Sequence, residues 1–219
     1  MCFSAPASLI AGVTLCAIGK ETLKKAKVKS EIPFASIPLI FGIQQIIEGL
    51  VWLSVGIPSL NHIAAFAFLI FAYVFWPSFA PVAVLLMEKD PSRKKFLKFF
   101  IFIGIIVSVT LFYSIIKGPV SAQIIQNTIS YSSANTFPFI MGYLYIAATS
   151  LCFLFSTHKM LKVFGVTLFV SSFTAYQCYV TSWISVWCFF AAILSFIVYL
   201  HFAPVDDLIR EIKTRLKMA

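Results

Sequence analysis

Glu48 sits in the middle of an apolar run, with Gln44 and Gln45 a turn before it and Trp52 a turn after it. On a helical wheel of about 100° per residue, Gln44, Glu48, Phe41, Trp52, Gln45, Pro38 and Gly49 share one arc. Ile43, Ile46, Ile47, Leu50, Val51 and Leu53 fill the opposite arc. One face therefore offers a carboxyl, two amides and an indole, and the other offers only aliphatic surface. A carboxyl in such a setting is costly unless it is protonated or paired. It can exchange a proton, hold a cation or act as a general base. The plainer alternative is an acid that fastens helices through hydrogen bonds of about 0.6 to 2 kcal/mol each.

Further polar and aromatic residues gather toward the same end of the apolar runs. Ser4 opens the first, His62 begins the third, Tyr176 and Tyr179 close the sixth, and Trp187 lies early in the last. The expected ligand site is Glu48, Gln44 and Gln45 with Trp52, Ser4, Tyr176, Tyr179 and Trp187. Cys2, His62 and Glu48, with Cys178 and Cys188 near them, also have the donor types that hold zinc or copper. No two of them stand at a ligand spacing along one helix, so their convergence must come from packing. Cys2, Cys178 and Cys188 are alternatively disulfide candidates in an oxidising exterior. His158 and His201 read as solvated end residues, and Glu88 is expected to pair with nearby lysines.

The elements that must carry these residues are hydrophobic helices. A helix needs about 20 residues to cross a bilayer, and seven segments qualify. They run about Ser4 to Gly19, Pro33 to Ile57, His62 to Met87, Phe96 to Ile116, Phe137 to Ser156, Leu161 to Thr181 and Trp183 to Ala203. The third is broken late by Trp76-Pro77-Ser78-Phe79-Ala80-Pro81, where two prolines free carbonyls about a turn earlier. That break reads equally as a hinge, an ion ligand or a packed kink. The fourth is apolar on nearly every side. Ser185, Cys188, Ala191, Ala192, Ser195 and Tyr199 form a small-residue seam suited to close helix packing.

Charge sets the orientation. Of the 17 lysines and arginines, every one but Lys117 falls in or at the edge of alternate gaps between these runs or in the tail after them, the pattern of cytoplasmic loops that retain Lys and Arg. The fold class expected is an all-α, seven-transmembrane-helix bundle, N-terminus outside and C-terminus cytoplasmic, in residues 1–203. In residues 204–219, Val205, Leu208, Ile209, Ile212 and Leu216 recur at helical spacing. Acids stand first and bases last, which suits an amphipathic helix lying on the membrane. The stretch from Lys117 to Thr136 is the longest exported loop.

Composition agrees: 60% hydrophobic, 11% charged, against roughly 25% charged in soluble domains. The net charge of +9 belongs to cytoplasmic edges beside anionic lipid, so the partners expected are a lipid bilayer, as in a cell membrane, and a small ligand, with no nucleic acid. No basic region precedes the first apolar run, so no cleavable signal peptide is expected.

Three stretches, Met1-Cys-Phe-Ser-Ala5, Gln44-Gln45-Ile-Ile-Glu48-Gly49-Leu-Val-Trp52 and Trp183-Ile-Ser-Val-Trp187-Cys188-Phe-Phe-Ala-Ala192, resemble an uncharacterised family of prokaryotic multi-pass membrane proteins, a domain of unknown function. The resemblance implies a shared fold. It also implies that Cys2, Ser4, Gln44, Gln45, Glu48, Trp52 and Trp187 belong to one site, and it implies no reaction. Retinal proteins fit poorly, since no lysine lies between Trp183 and Ala203. Three functions follow from these residues. The first is binding or transport of a small polar or cationic ligand in an outward-facing pocket around Glu48. The second is an intramembrane enzyme, metal-dependent or not, acting on lipid or a lipid-linked group. The third is a membrane sensor or assembly factor.

Overall fold

A computed structural model describes residues 4–133 and 139–203, and 82% of them are helical. The helices are α1 (Ala5–Lys25), α2 (Lys29–Ser54), α3 (Pro58–Met87), α4 (Pro91–Ile116), α5 (Phe139–Thr149), α6 (Lys159–Cys178) and α7 (Val180–Phe202). Of these, α2, α3, α4 and α7 are long and apolar enough to cross a membrane. Each expected segment coincides with a helix, although α1 continues through its first lysines and α5 ends early in a 3-10 turn, Leu151–Phe155. The expected tail helix at 204–219 lies outside the described residues.

Helices α1 and α2 form the most intimate pair. A side chain on Gly12 would come within 2.9 Å of the Gly42 carbonyl oxygen, and one on Gly42 within 2.7 Å of the Cys16 amide and thiol. Only glycine lets these backbones approach so closely. The contact turns α2 so that Gln44, Gln45, Glu48 and Gly49 face inward, while Ile43, Leu50 and Leu53 face out. Val51, on the arc expected to meet lipid, is instead fully buried. It packs with Ala65 and Phe68 of α3 and with Val186 of α7 in one core cluster.

The break in α3 falls one turn before the prolines, as a six-residue π-helical stretch, Ile70–Phe75. Three of its carbonyls accept from side-chain hydroxyls. Tyr145 donates to Ala72 O at 2.6 Å, Ser108 to Val74 O at 2.7 Å, and Ser78 to Val74 O and Phe75 O at 3.0 Å each. The Pro77 carbonyl, which Pro81 leaves without its helical donor, lies against Gly104 of α4, where any side chain would overlap it. The kink is a packed joint between α3, α4 and α5. Helix α4 is otherwise peripheral, with Phe96, Phe99, Phe102, Ile105 and Val109 outward.

The Lys117 to Thr136 loop contains a β-hairpin. Strand β1 (Ser121–Ile125) pairs antiparallel with β2 (Thr128–Ser132) across Gln126-Asn127. Both turn residues have positive φ, 47° and 58°, the type I′ geometry that matches strand twist.

At the opposite end of the bundle, Glu88 is 2% exposed and makes none of the expected lysine pairs among the described residues. Its carboxylate accepts from the amides of Lys89 (2.8 Å), Asp90 (3.0 Å) and Thr157 (2.6 Å), and from the Thr157 hydroxyl (3.1 Å). Backbone amides satisfy a buried acid at fixed geometry, without ordering a long lysine chain. Arg93 donates to the Phe155 and Ser156 carbonyls beside it. His158 and His201, expected to be solvated, pack edge-on at 5.5 Å, with Phe34 against His201.

Burial would raise the Glu88 pKa, but its four hydrogen bonds outweigh that and hold it below the usual carboxylate range. Its stabilisation is therefore full above a pH of about 4.3 and is lost as pH falls through the lowered value. Glu88→Gln should cost about 2 kcal/mol at neutral pH in thermal or denaturant unfolding, and the gap from the parent should close in strong acid. A gap that persisted at low pH would show that charge is not its origin.

Candidate functional site

The Glu48 side chain has no solvent exposure. Ser185, in the first turn of the regular part of α7, donates to its Oε1 at 2.5 Å, and Gln45 Nε2 donates to its Oε2 at 3.1 Å. The first turn of a helix carries unpaired amides and positive dipole, which favours an acid there. Gln44 diverges from its neighbour: its Oε1 accepts the Trp76 indole N–H at 2.5 Å, and Trp76 stacks on Phe41 at 4.0 Å. The two adjacent amides thus diverge, Gln44 tying α2 to α3 and Gln45 bonding within α2 to the acid. Gln44 Nε2, Gln45 Oε1 and Trp52 Nε1 are buried without a hydrogen-bond partner among the described residues.

The hairpin closes this end of the bundle. Asn61 of α3 holds β1 as a strand neighbour would, donating to Ala122 O at 3.1 Å and accepting from Ala122 N at 2.8 Å. His62 Nδ1 donates to Val120 O at 2.9 Å, since a carbonyl can only accept. The Thr128 and Ser182 hydroxyls are hydrogen-bonded at 2.7 Å, and Ser130 donates to Thr181 O at 2.9 Å. Tyr131 lies flat on Phe68, 4.6 Å and 4° apart, and its buried hydroxyl has no partner among the described residues. Burial, and after it the proximity of Glu48, Cys188 and Tyr73, pushes the Tyr131 phenol far above its ordinary pKa. The hairpin thereby brings a phenol to the acid.

Beside this cluster is a cavity of about 660 Å³, bounded by α5, α6, β2 and the start of α7. Tyr73, Tyr131, Tyr143, Phe169, Ser172 and Ser185 are on its wall. The size is that of sites for small organic molecules. Ser172 is 1% exposed and its hydroxyl also has no partner among the described residues. The α6–α7 wall is fixed by two indoles: Trp183 donates to Ser172 O and Trp187 to Leu168 O, both at 3.1 Å, and the rings stack at 5.4 Å. A second void of about 30 Å³, deeper between Trp76, Tyr145, Thr149, Trp187 and Cys188, has room for about one water.

The residues expected at the site do not all converge. Glu48, Gln44 and Gln45 are together, but the acid lies behind Ser185 and not on the cavity wall. Tyr176 is on that wall and 44% exposed. Trp187 faces the deeper void, Tyr179 is half-buried against the same core, and Trp52 is half-buried beside it. Ser4 is the N-cap of α1, accepting from Ala7 N at 3.4 Å. Of the expected metal ligands, Cys2 lies outside the described residues and His62 is held at the hairpin. No three His, Cys, Asp or Glu side chains gather among the described residues. Cys178 is exposed and Cys188 buried, with neither in a disulfide there.

Sequence reasoning placed Ser185 in the packing seam and missed it as the partner of Glu48. It missed Tyr131, Ser172 and Asn61 altogether. The alternation of Ala122, Ile124, Ile129 and Tyr131 about Asn127 carried a hairpin signal, whereas nothing local marks Ser172.

A family model described as a family of unknown function, DUF6629, matches residues 1–208. No curated protein and no solved structure matches the chain.

If the carboxylate and the Ser185 hydroxyl act as one unit, their effects on unfolding are not additive. A double-mutant cycle of Glu48→Gln and Ser185→Ala should give a coupling of about 1 kcal/mol. Additivity within about 0.3 kcal/mol would mean that the bond contributes nothing.

Proposed function

We propose a function for this chain, which belongs to DUF6629, a family of unknown function, from its own geometry. It is an integral membrane protein of seven spanning helices that binds a small molecule bearing a polar or cationic group in the cavity beside Glu48. The observation that carries this reading is the position of Ser185, whose hydroxyl belongs both to the cavity wall and to the buried carboxylate. A hydroxyl that gives its proton to Glu48 turns oxygen lone pairs toward whatever occupies the cavity. The acid therefore orients the contact without entering it.

The topology rests on charge. Lysines of the α1–α2 and α3–α4 connections and of the start of α6 lie at one end of the bundle, and the hairpin, with Lys117 before it, lies at the other. The positive-inside rule then puts the hairpin outside. Labelling tests this directly. In a Cys2→Ser background, exposed Cys178 should react with a membrane-impermeant thiol reagent on intact cells. A cysteine replacing Lys95 should react only after lysis, and the opposite pattern would reverse the orientation.

Binding has its own test. Gly142 is on the cavity wall, and a side chain there meets nothing within 4 Å. Gly142→Leu should fill the space and raise apo stability by up to about 1 kcal/mol, while abolishing ligand-induced thermal stabilisation. Undiminished ligand response in that variant would move the site elsewhere.

A further inference from the structure

The cavity wall specifies what kind of molecule fits it. Apart from a short polar strip, it is aromatic and aliphatic, and the α5–α6 side is open: Tyr143, Phe169 and Phe173 are 58%, 44% and 60% exposed. On the seven-span reading, that side faces acyl chains and not water. Of the strip, Ser172 and Tyr131 carry buried hydroxyls with no partner among the described residues, and Ser185 has already donated its proton to Glu48. A buried polar atom without a partner costs about 1 to 3 kcal/mol, which an incoming head group can recover.

We infer that the ligand is a single-chain amphiphile drawn laterally from the bilayer between α5 and α6, with a hydrogen-donating, non-anionic head (an alcohol or an amine) at Ser185, Ser172 and Tyr131. The chain lies along Phe169, Phe173 and Tyr143. Ser185 can only accept, so the head must donate to it. Among the described residues no lysine, arginine or histidine is on the wall, so nothing there neutralises a carboxylate or phosphate. This inference rests on the cavity being a ligand site, as proposed above, and adds the ligand's class and route of entry.

The test uses full-length protein in lipid nanodiscs, with dodecanol, dodecylamine, lauric acid and choline as probes and thermal stabilisation plus direct binding as readouts. Dodecanol and dodecylamine should bind, and lauric acid and choline should not. Ser172→Ala and Tyr131→Phe remove hydroxyls that hold no partner, so apo melting should not fall, and should rise where the unpaired hydroxyl was costly, while dodecanol and dodecylamine affinity falls about tenfold, as for one lost hydrogen bond. Binding of lauric acid as tight as that of dodecylamine would overturn the head-group assignment, as would unaltered affinity in both variants. Choline binding without dodecylamine binding would overturn entry from the bilayer yet leave the cavity as a site. Silence from all four probes would count against this inference, and only an equal silence across water-soluble polar and cationic ligands would take the proposed function with it.

Discussion

A carboxylate without access to water must be held by donors that the protein itself supplies. In this fold that requirement organises the end of the bundle where α2, α7 and the hairpin meet. Glu48 reaches Ser185 only because the Gly12–Gly42 contact rotates α2 and the short turn at Val180–Ser182 starts α7 at the right height. The same turn offers Ser182 and the Thr181 carbonyl to the hairpin, so what positions the acid's donor also positions the element that covers it. Moving either would uncouple the Tyr131 phenol from the acid and open the cavity wall at Ser185.

Helix α3 supplies the opposite boundary. Its π-helical stretch shifts the side chains that follow it out of the register a regular helix would give. Asn61 and His62 before the stretch lie under β1, Tyr73 within it is at the cavity, and Trp76 after it is on Gln44. One helix thus serves three contacts that a straight rod would place on diverging faces. The hydroxyls of Ser78, Ser108 and Tyr145 make this possible by accepting the role of missing amides.

Much of this was legible from residue pattern, and the reasons are physical. Seven apolar runs separated by polar gaps translate almost directly into helices, because the length and hydropathy of each run are local properties. The wheel on α2 separated inward from outward correctly for Gln44, Gln45, Glu48, Ile43, Leu50 and Leu53. Val51 was assigned to the lipid arc, yet seven residues from Gln44 it falls only about 20° from it on the wheel, and it is buried with the inward face. Glu88 was misread for another reason: lysines crowd it in sequence, but backbone amides crowd it in space. The hairpin was legible in its turn and alternation, yet a surrounding chain of helices makes twelve such residues easy to read as loop. The pairing of Glu48 with Ser185, 137 residues away, is a product of packing, and no spacing rule contains it.

Two polar clusters lie inside this bundle, and their difference bears on function. At the α3 break, hydroxyls from three helices meet the surplus carbonyls of Ala72, Val74 and Phe75, as expected of polar groups whose task is to hold helices together. Around Glu48 the matching is incomplete: Gln44 Nε2, Gln45 Oε1, Trp52 Nε1 and the Tyr131 hydroxyl are buried and lack partners among the described residues. A purely structural fastening gains nothing from unmatched donors and acceptors, each of which subtracts from stability. A site that must receive another molecule does gain, because the unmatched groups become part of the affinity when it arrives. Of the unmatched groups, the Tyr131 and Ser172 hydroxyls are on the wall of the cavity of about 660 Å³, and it is these two that favour the second role.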